Sequence, residues 1–258
     1  MKNKVILLLI GQLAALLFAV SGYAEPWYIR GSMSCERSFS ADFHDKDSLS
    51  TNPPALFGYV TGSDGRPIGA YGDFGKFPGF EIAAGGHILP WLRSDLSLCY
   101  RPDMDYRGHS NFYGVPGQQP VRAEARSLGL LGNVFLELAP LINMSSSRIL
   151  PYVGGGLGIT YNRLSRMTYE FPGLTKHKIS ITPEGKKKDI TFMLTAGVGI
   201  VLSDRVILDV AYRYSDLGHM RTDQGRMYMN HVPGGIVIGE TLTRLRCHGI
   251  TLGIRCSF

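Results

Sequence analysis

From Trp27 onward apolar residues recur at every second position, which is the period of strands and not of amphipathic helices. The C-terminal stretch 248–258 shows it best. Ile250, Leu252, Ile254, Cys256 and Phe258 share one face, and Thr251, Gly253, Arg255 and Ser257 share the other. A first strand alternates Trp27, Ile29, Gly31 and Met33 with Tyr28, Arg30, Ser32 and Ser34. In a second, Phe80, Ile82, Ala84, Gly86 and Ile88 alternate with Glu81, Ala83, Gly85 and His87. The third sets Leu96, Leu98 and Tyr100 against Asp95, Ser97, Cys99 and Arg101. Leu128, Leu130, Val134, Leu136 and Leu138 define a fourth, with Asn133 and Glu137 opposite. The fifth, sixth and seventh carry Val153, Leu157, Ile159 and Tyr161; Phe192, Leu194, Ala196, Val198 and Ile200; and Val206, Leu208, Val210, Tyr212 and Tyr214. Glycines and threonines fill the other face of the fifth and sixth, and Asp209, Ala211, Arg213 and Ser215 that of the seventh.

These segments make eight strands, each near the ~9–11 residues that a tilted strand needs to cross a bilayer. The joins alternate in length. Short ones fall at 89–94, 139–148 and 202–205, and long ones at 36–78, 102–121, 162–190 and 216–243. Short periplasmic turns alternating with long outer loops are an asymmetry of membrane barrels, which a soluble sandwich has no reason to adopt. The expected fold is therefore all-β: a closed antiparallel transmembrane β-barrel of about eight strands with mobile outer loops. Two further runs, 59–61 before Gly62-Ser63-Asp64-Gly65 and 178–182 before Pro183-Glu184-Gly185, read as hairpins above the membrane. Counted as barrel strands, they would make ten.

Composition adds compartment. Lys2 and Lys4 precede an apolar stretch at 5–20 and small residues at Gly22 and Ala24, the order of a cleavable export signal. Residues 1–24 are assigned to a signal peptide and 25–258 to the barrel domain. No later segment is apolar for long enough to be a membrane helix, so any crossing must be by strands. The 32 Gly and 13 Tyr suit tight lumen packing and interfacial rings. Trp27, Trp91 and Phe258 are expected near the periplasmic edge, with Tyr100, Tyr161 and Tyr214 near the outer edge. Cys35, Cys99, Cys247 and Cys256 match no metal spacing. Cys35 and Cys247 lie on strands that closure makes neighbours, but alternation points them to opposite faces, against a disulfide.

Several segments resemble the small opacity-like outer-membrane proteins. They are Trp27-Tyr28-Ile29-Arg30-Gly31, Pro151-Tyr152-Val153-Gly154-Gly155-Gly156-Leu157-Gly158, Thr195-Ala196-Gly197-Val198-Gly199 and Ala211-Tyr212-Arg213-Tyr214-Ser215-Asp216-Leu217-Gly218, with the terminal Phe258. The resemblance implies an eight-stranded barrel in the bacterial outer membrane. It also implies insertion by the outer-membrane assembly machinery, which reads a terminal strand ending in Phe258. It implies no single activity, because such proteins are variously adhesins, structural proteins and antigens.

Candidate chemistry follows from the faces. The lumen side carries Arg30, Glu81, Asp95, Arg101, Glu137, Asp209, Arg213 and Arg255. Dehydrated charges must pair, so these are expected to form a network that plugs the barrel. Arg163, Arg166, Lys176, Lys178, Lys186, Lys187 and Lys188 enrich the third outer loop, and Arg244 and Arg246 share the outward parity of the last strand. Lys186, Lys187, Lys188, Arg244 and Arg246 are candidates for contact with lipopolysaccharide or another polyanionic surface. Only His109-Ser110 places a histidine beside a serine, in a Gly- and Pro-rich loop where adjacency means little. No catalytic, cofactor or metal residue is assigned. The expected role is non-enzymatic, in envelope integrity or adhesion through a host or envelope ligand, by a monomer that meets no nucleic acid. The alternatives are a lipid A-modifying enzyme and a minor narrow pore.

Overall fold

A computed structural model describes residues 27–142, 148–174 and 178–258. The assigned signal peptide, together with Lys176 and His177, lies outside the described residues. The elements in order are β1 (Trp27–Ser38), β2 (His44–Asp45), β3 (Ala70–Asp73), β4 (Lys76–Leu89), β5 (Leu92–Ser110), β6 (Pro120–Glu137) and a helical turn α1 (Leu138–Leu141). Then come β7 (Ile149–Leu164), β8 (Thr168–Phe171), β9 (Lys178–Ile181), β10 (Gly185–Ser203), β11 (Val206–Arg221), β12 (Gly225–Met229), β13 (Val232–Ile238) and β14 (Thr241–Ser257).

Eight of these strands form an antiparallel ring, β1-β4-β5-β6-β7-β10-β11-β14, closed by β14 pairing back onto β1 from Tyr28↔Ser257 to Ser38↔Cys247. Closure leaves the ring no free edge, as a strand structure in hydrocarbon requires. The extra runs do not raise the ring to ten. The 62–66 segment is a tight turn, and β9 pairs with β8 and β12 above the ring, not with the residues after Pro183.

The ring strands are longer than the alternation of apolar residues suggests, up to 19 residues in β5 and β10. In β6 the odd positions face inward from end to end. Below Ser127 the outward positions are Leu128, Leu130, Val134 and Leu136, while Asn133 and Glu137 point in. Above it the chemistry inverts. Val121, Ala123 and Ala125 are buried, and Arg122, Glu124 and Arg126 are exposed. The same inversion occurs in β5, where Leu96, Leu98 and Tyr100 give way to exposed Asp103, Asp105 and Arg107 over buried Met104 and Tyr106. One backbone thus runs through two solvents: hydrocarbon outside the lower half, water outside the upper half. The outward run 128–136, at ~3.4 Å per residue and a tilt of ~40°, climbs about 23 Å, close to the expected apolar band.

The upper half has a core of its own. Phe43, Phe57, Ile68 and Phe74 from the first long loop pack onto Met104, Tyr106, Val121, Met167, Tyr169, Leu217 and Leu245. Much of what the sequence leaves as mobile outer loops is therefore folded into a head. Asp45 organises the first loop by accepting the backbone N–H groups of Leu56, Phe57 and Gly58 at 2.8 Å each. In β11 the register slips between Asp216 and His219 and turns Met220 inward; below the slip, Leu217 points inward with the parity of Arg213 and Ser215. Its carbonyl accepts Thr160 Oγ1 (2.9 Å) and Asn162 Nδ2 (2.7 Å) from β7 across the lumen. Gly218, at φ 74°, makes this bulge possible, since a side chain there would strike Asp189.

At the tip of the first loop, Asn111 Nδ2 donates to Asp64 Oδ1 (2.7 Å) and its Oδ1 accepts Gly69 N–H. Gly62 packs so close to Asn111 that a Cβ would lie 2.2 Å from its side chain. The Asn111 hydrogen bond, helped by the Arg66 backbone and guanidinium, lowers the Asp64 carboxyl to about 2. A depressed carboxyl pKa stabilises at pH above the unfolded value and loses that contribution as pH falls through the folded one. Asp64 is therefore expected to titrate near 2 by carboxyl NMR in micelles, and Asn111→Ala should return it toward 3.8. A wild-type midpoint already at 3.8 would show the tie absent in solution.

Candidate functional site

All eight charged residues expected in the lumen are buried there, and two more join them. Arg30 pairs with Glu81 (2.7 Å) and Asp95 (2.9 Å), and Arg213 reaches the same Glu81 (2.7 Å). Arg101 holds Glu36 (2.8 Å). Nearer the periplasmic end, Arg255 bridges Glu137 (3.3 Å) and Asp209 (3.2 Å), and Arg93 also grips Glu137 (2.5 Å). Five guanidinium groups thus meet five carboxylates, so formal charge cancels in a space with little water. Arg93 and Glu36 were missed because one fell in a supposed turn and the other lay past the supposed end of β1. Parity alone would have found both, since Arg93 continues the series Asp95, Ser97, Cys99, Arg101, and Glu36 continues Tyr28, Arg30.

Neutral groups complete the filling. Tyr28 donates to Asp95 (3.0 Å), and Asn133 donates to Asp95 (2.6 Å) and Ser97 (2.8 Å). Arg93 lies over the Phe135 ring at 4.0 Å. The Cys99 thiol donates to Glu81 (2.9 Å) and that of Cys247 to Glu36 (3.0 Å). All four cysteines are free, with Cys35 exposed on the outer wall and Cys247 buried inside. A void between Glu36, Glu81, Arg101, Arg213 and Thr251 measures about 10 Å³, space for about one water. Above it the Leu217 bulge and the core of the head cover the lumen.

The outer wall carries the basic residues, but not as one cluster. Lys186 and Lys188 are exposed, whereas Lys187 falls on the opposite face, half-buried 3.8 Å from Asp189. The expectation of three consecutive lysines acting together is corrected by the two-residue period: β10 is already paired there. Arg244 is held by Asp216 (2.8 Å), and Arg246 is exposed beside it on β14. An open cleft of about 920 Å³ flanks the head, lined in part by Arg107, Arg122, Glu124, Arg166 and Glu184. Trp27, Trp91 and Phe258 are exposed at the periplasmic end, and Phe258 N–H donates to the Trp27 carbonyl (2.9 Å). Tyr100 and Tyr161 are exposed at the upper edge of the apolar band.

Histidine chemistry does not assemble around a nucleophile at His109. Ser110 is buried and donates to Gln119 (3.0 Å), while His109 points out on the other face. A His–Asp pair exists at the outer lip, His219 Nδ1 to Asp189 Oδ2 at 2.6 Å, where the Asp189 carboxylate also accepts the His219 backbone N–H (2.9 Å). These bonds fasten the bulge of β11 to β10. Among the described residues no cluster of three or more His, Cys, Asp or Glu side chains is placed to hold a metal ion.

Residues 5–258 match the family described as "Outer membrane protein beta-barrel domain". No curated protein matches the sequence. Among solved structures, Neisserial surface protein A is 16% identical with a TM-score of 0.42, the alignment covering 90% of this chain and 97% of that one. OprG from Pseudomonas aeruginosa is 14% identical, TM-score 0.42, covering 90% and 96%. The outer membrane protease OmpT from Escherichia coli is 8% identical, TM-score 0.40, covering 93% and 100%.

Proposed function

Since the chain belongs to the outer membrane protein β-barrel family and sits in the bacterial outer membrane, we propose that it is a non-enzymatic surface platform, anchored by a solid barrel and working through its outer head. One observation carries this reading: among the described residues, paired charges occupy the lower lumen and an apolar core lies above them. A filled lumen supports neither diffusion nor a substrate cavity within the bilayer, whereas a head built on continuous ring strands holds its surface rigidly for contact with envelope or host ligands. Insertion by the assembly machinery through the strand ending at Phe258, and a monomeric state, belong to the same proposal.

The test is electrical. Purified protein in a planar bilayer should add no stepwise conductance above the protein-free membrane. Discrete steps, abolished by a variant that keeps the fold, would overturn the platform in favour of a pore. A changed acyl pattern of lipid A in membranes that contain the protein would instead favour the enzyme.

A further inference from the structure

The register of the outer wall brings together cations that are far apart in sequence. Arg126 on β6 lies directly opposite Arg163 on β7, and Arg163 directly opposite Lys186 on β10. All three are exposed on the outside, and Lys188 follows one outward step lower, opposite Tyr161. Like charges facing one another across adjacent strands repel. Among the described residues, Glu184 answers two of them, at 3.1 Å from Arg163 and 3.8 Å from Lys186, and it is itself half-exposed. Exposed pairs of this kind contribute little.

The height of this row gives it meaning. Arg126 and Arg163 lie one outward step above Leu128 and Tyr161, and Lys186 lies two above Ile190, with Lys188 between them. Two outward steps below Arg126, Arg163 and Lys186 lies the continuous apolar row Leu130, Ile159, Ile190. A ligand matching both surfaces has a phosphate on top and acyl chains below. Two arginine forks suit phosphate oxygens, and the lysines add charge without fixed geometry.

We propose that Arg126, Arg163, Lys186 and Lys188 form a binding site for the phosphate of an outer-leaflet glycolipid of the lipid A type, whose acyl chains lie on the apolar rows beneath. Glu184 occupies part of this site and competes with the phosphate. The site rests on the barrel's place in the outer membrane and on strand register, so it is independent of the platform role.

Native mass spectrometry of the full-length mature protein in detergent tests it, using bisphosphorylated lipid A, the same lipid with its phosphates removed, and inorganic phosphate. Wild type should retain the bisphosphorylated lipid and lose it when the phosphates are absent. The triple variant R126Q/R163Q/K186Q should bind on the order of tenfold more weakly, while E184Q should bind more tightly. The gel shift on boiling reports that each variant is folded, and R163Q alone serves if the triple is not. Three results would each overturn the site: equal binding by wild type and the variants, equal binding of the phosphate-free lipid (retention by acyl chains alone), or full displacement by millimolar inorganic phosphate (a general anion site).

Discussion

Glu81→Gln should be among the most damaging single substitutions in the barrel. Glu81 forms an ion pair with Arg30 (2.7 Å) and accepts from both terminal nitrogens of Arg213 (2.7 and 3.1 Å) and from the Cys99 thiol (2.9 Å). The amide keeps the shape but removes the charge, leaving two buried guanidinium groups to share one neutral acceptor and the lumen with an uncompensated cation. Breaking a buried ion pair from one side costs roughly 3–5 kcal/mol. The expected result is a fall of that size in unfolding free energy, measured by urea titration in lipid with the unboiled gel band as the folded signal. Pairing it with Arg213→Gln should recover part of the loss, because charge balance returns and neighbouring effects are not additive. A loss below ~1 kcal/mol would mean that water reaches these side chains and that the lumen is not dry.

Placing an arginine on the outside of the barrel should expose the depth of the membrane. Leu157 projects outward at the centre of the apolar run of β7, midway between Val153 and Tyr161, and 63% of its surface is uncovered by protein. Leu157→Arg is expected to cost about 2–4 kcal/mol, the range for arginine near a bilayer midplane. Leu136→Arg, at the periplasmic end of β6, should cost only about 0–1 kcal/mol. Above the band, Glu124→Gln on the wet side of the same strand should stay within ~0.5 kcal/mol. Unfolding from vesicles of known thickness separates these outcomes. A flat response along this series would place the apolar band elsewhere and remove the basis for the lipid site above it.

Alternation, with the lengths of the joins, determined the eight strands, their antiparallel order, which face of each meets lipid and eight of the ten charges that point inward. These features are local, because a strand's period is two wherever it lies, and hydrocarbon outside a barrel selects an apolar outer face. Tertiary structure decided the rest. The strands stop looking amphipathic in the membrane sense above Ser127, where the outer solvent becomes water and the same parity carries the opposite chemistry. That change hid the upper halves of β5, β6 and β14, and with them the head. Arg93 and Glu36 escaped for a related reason, lying just past the stretches that alternation could certify. The lipid-facing cations were separated the same way. The basic third loop grouped Arg163 with Lys186 but not with Arg126, and only the register of three neighbouring strands sets the three side by side, while the pleat removes Lys187 from between Lys186 and Lys188. Periodicity assigns a residue to a face; which residues meet on that face depends on pairing between distant strands, and that is set by closure of the ring.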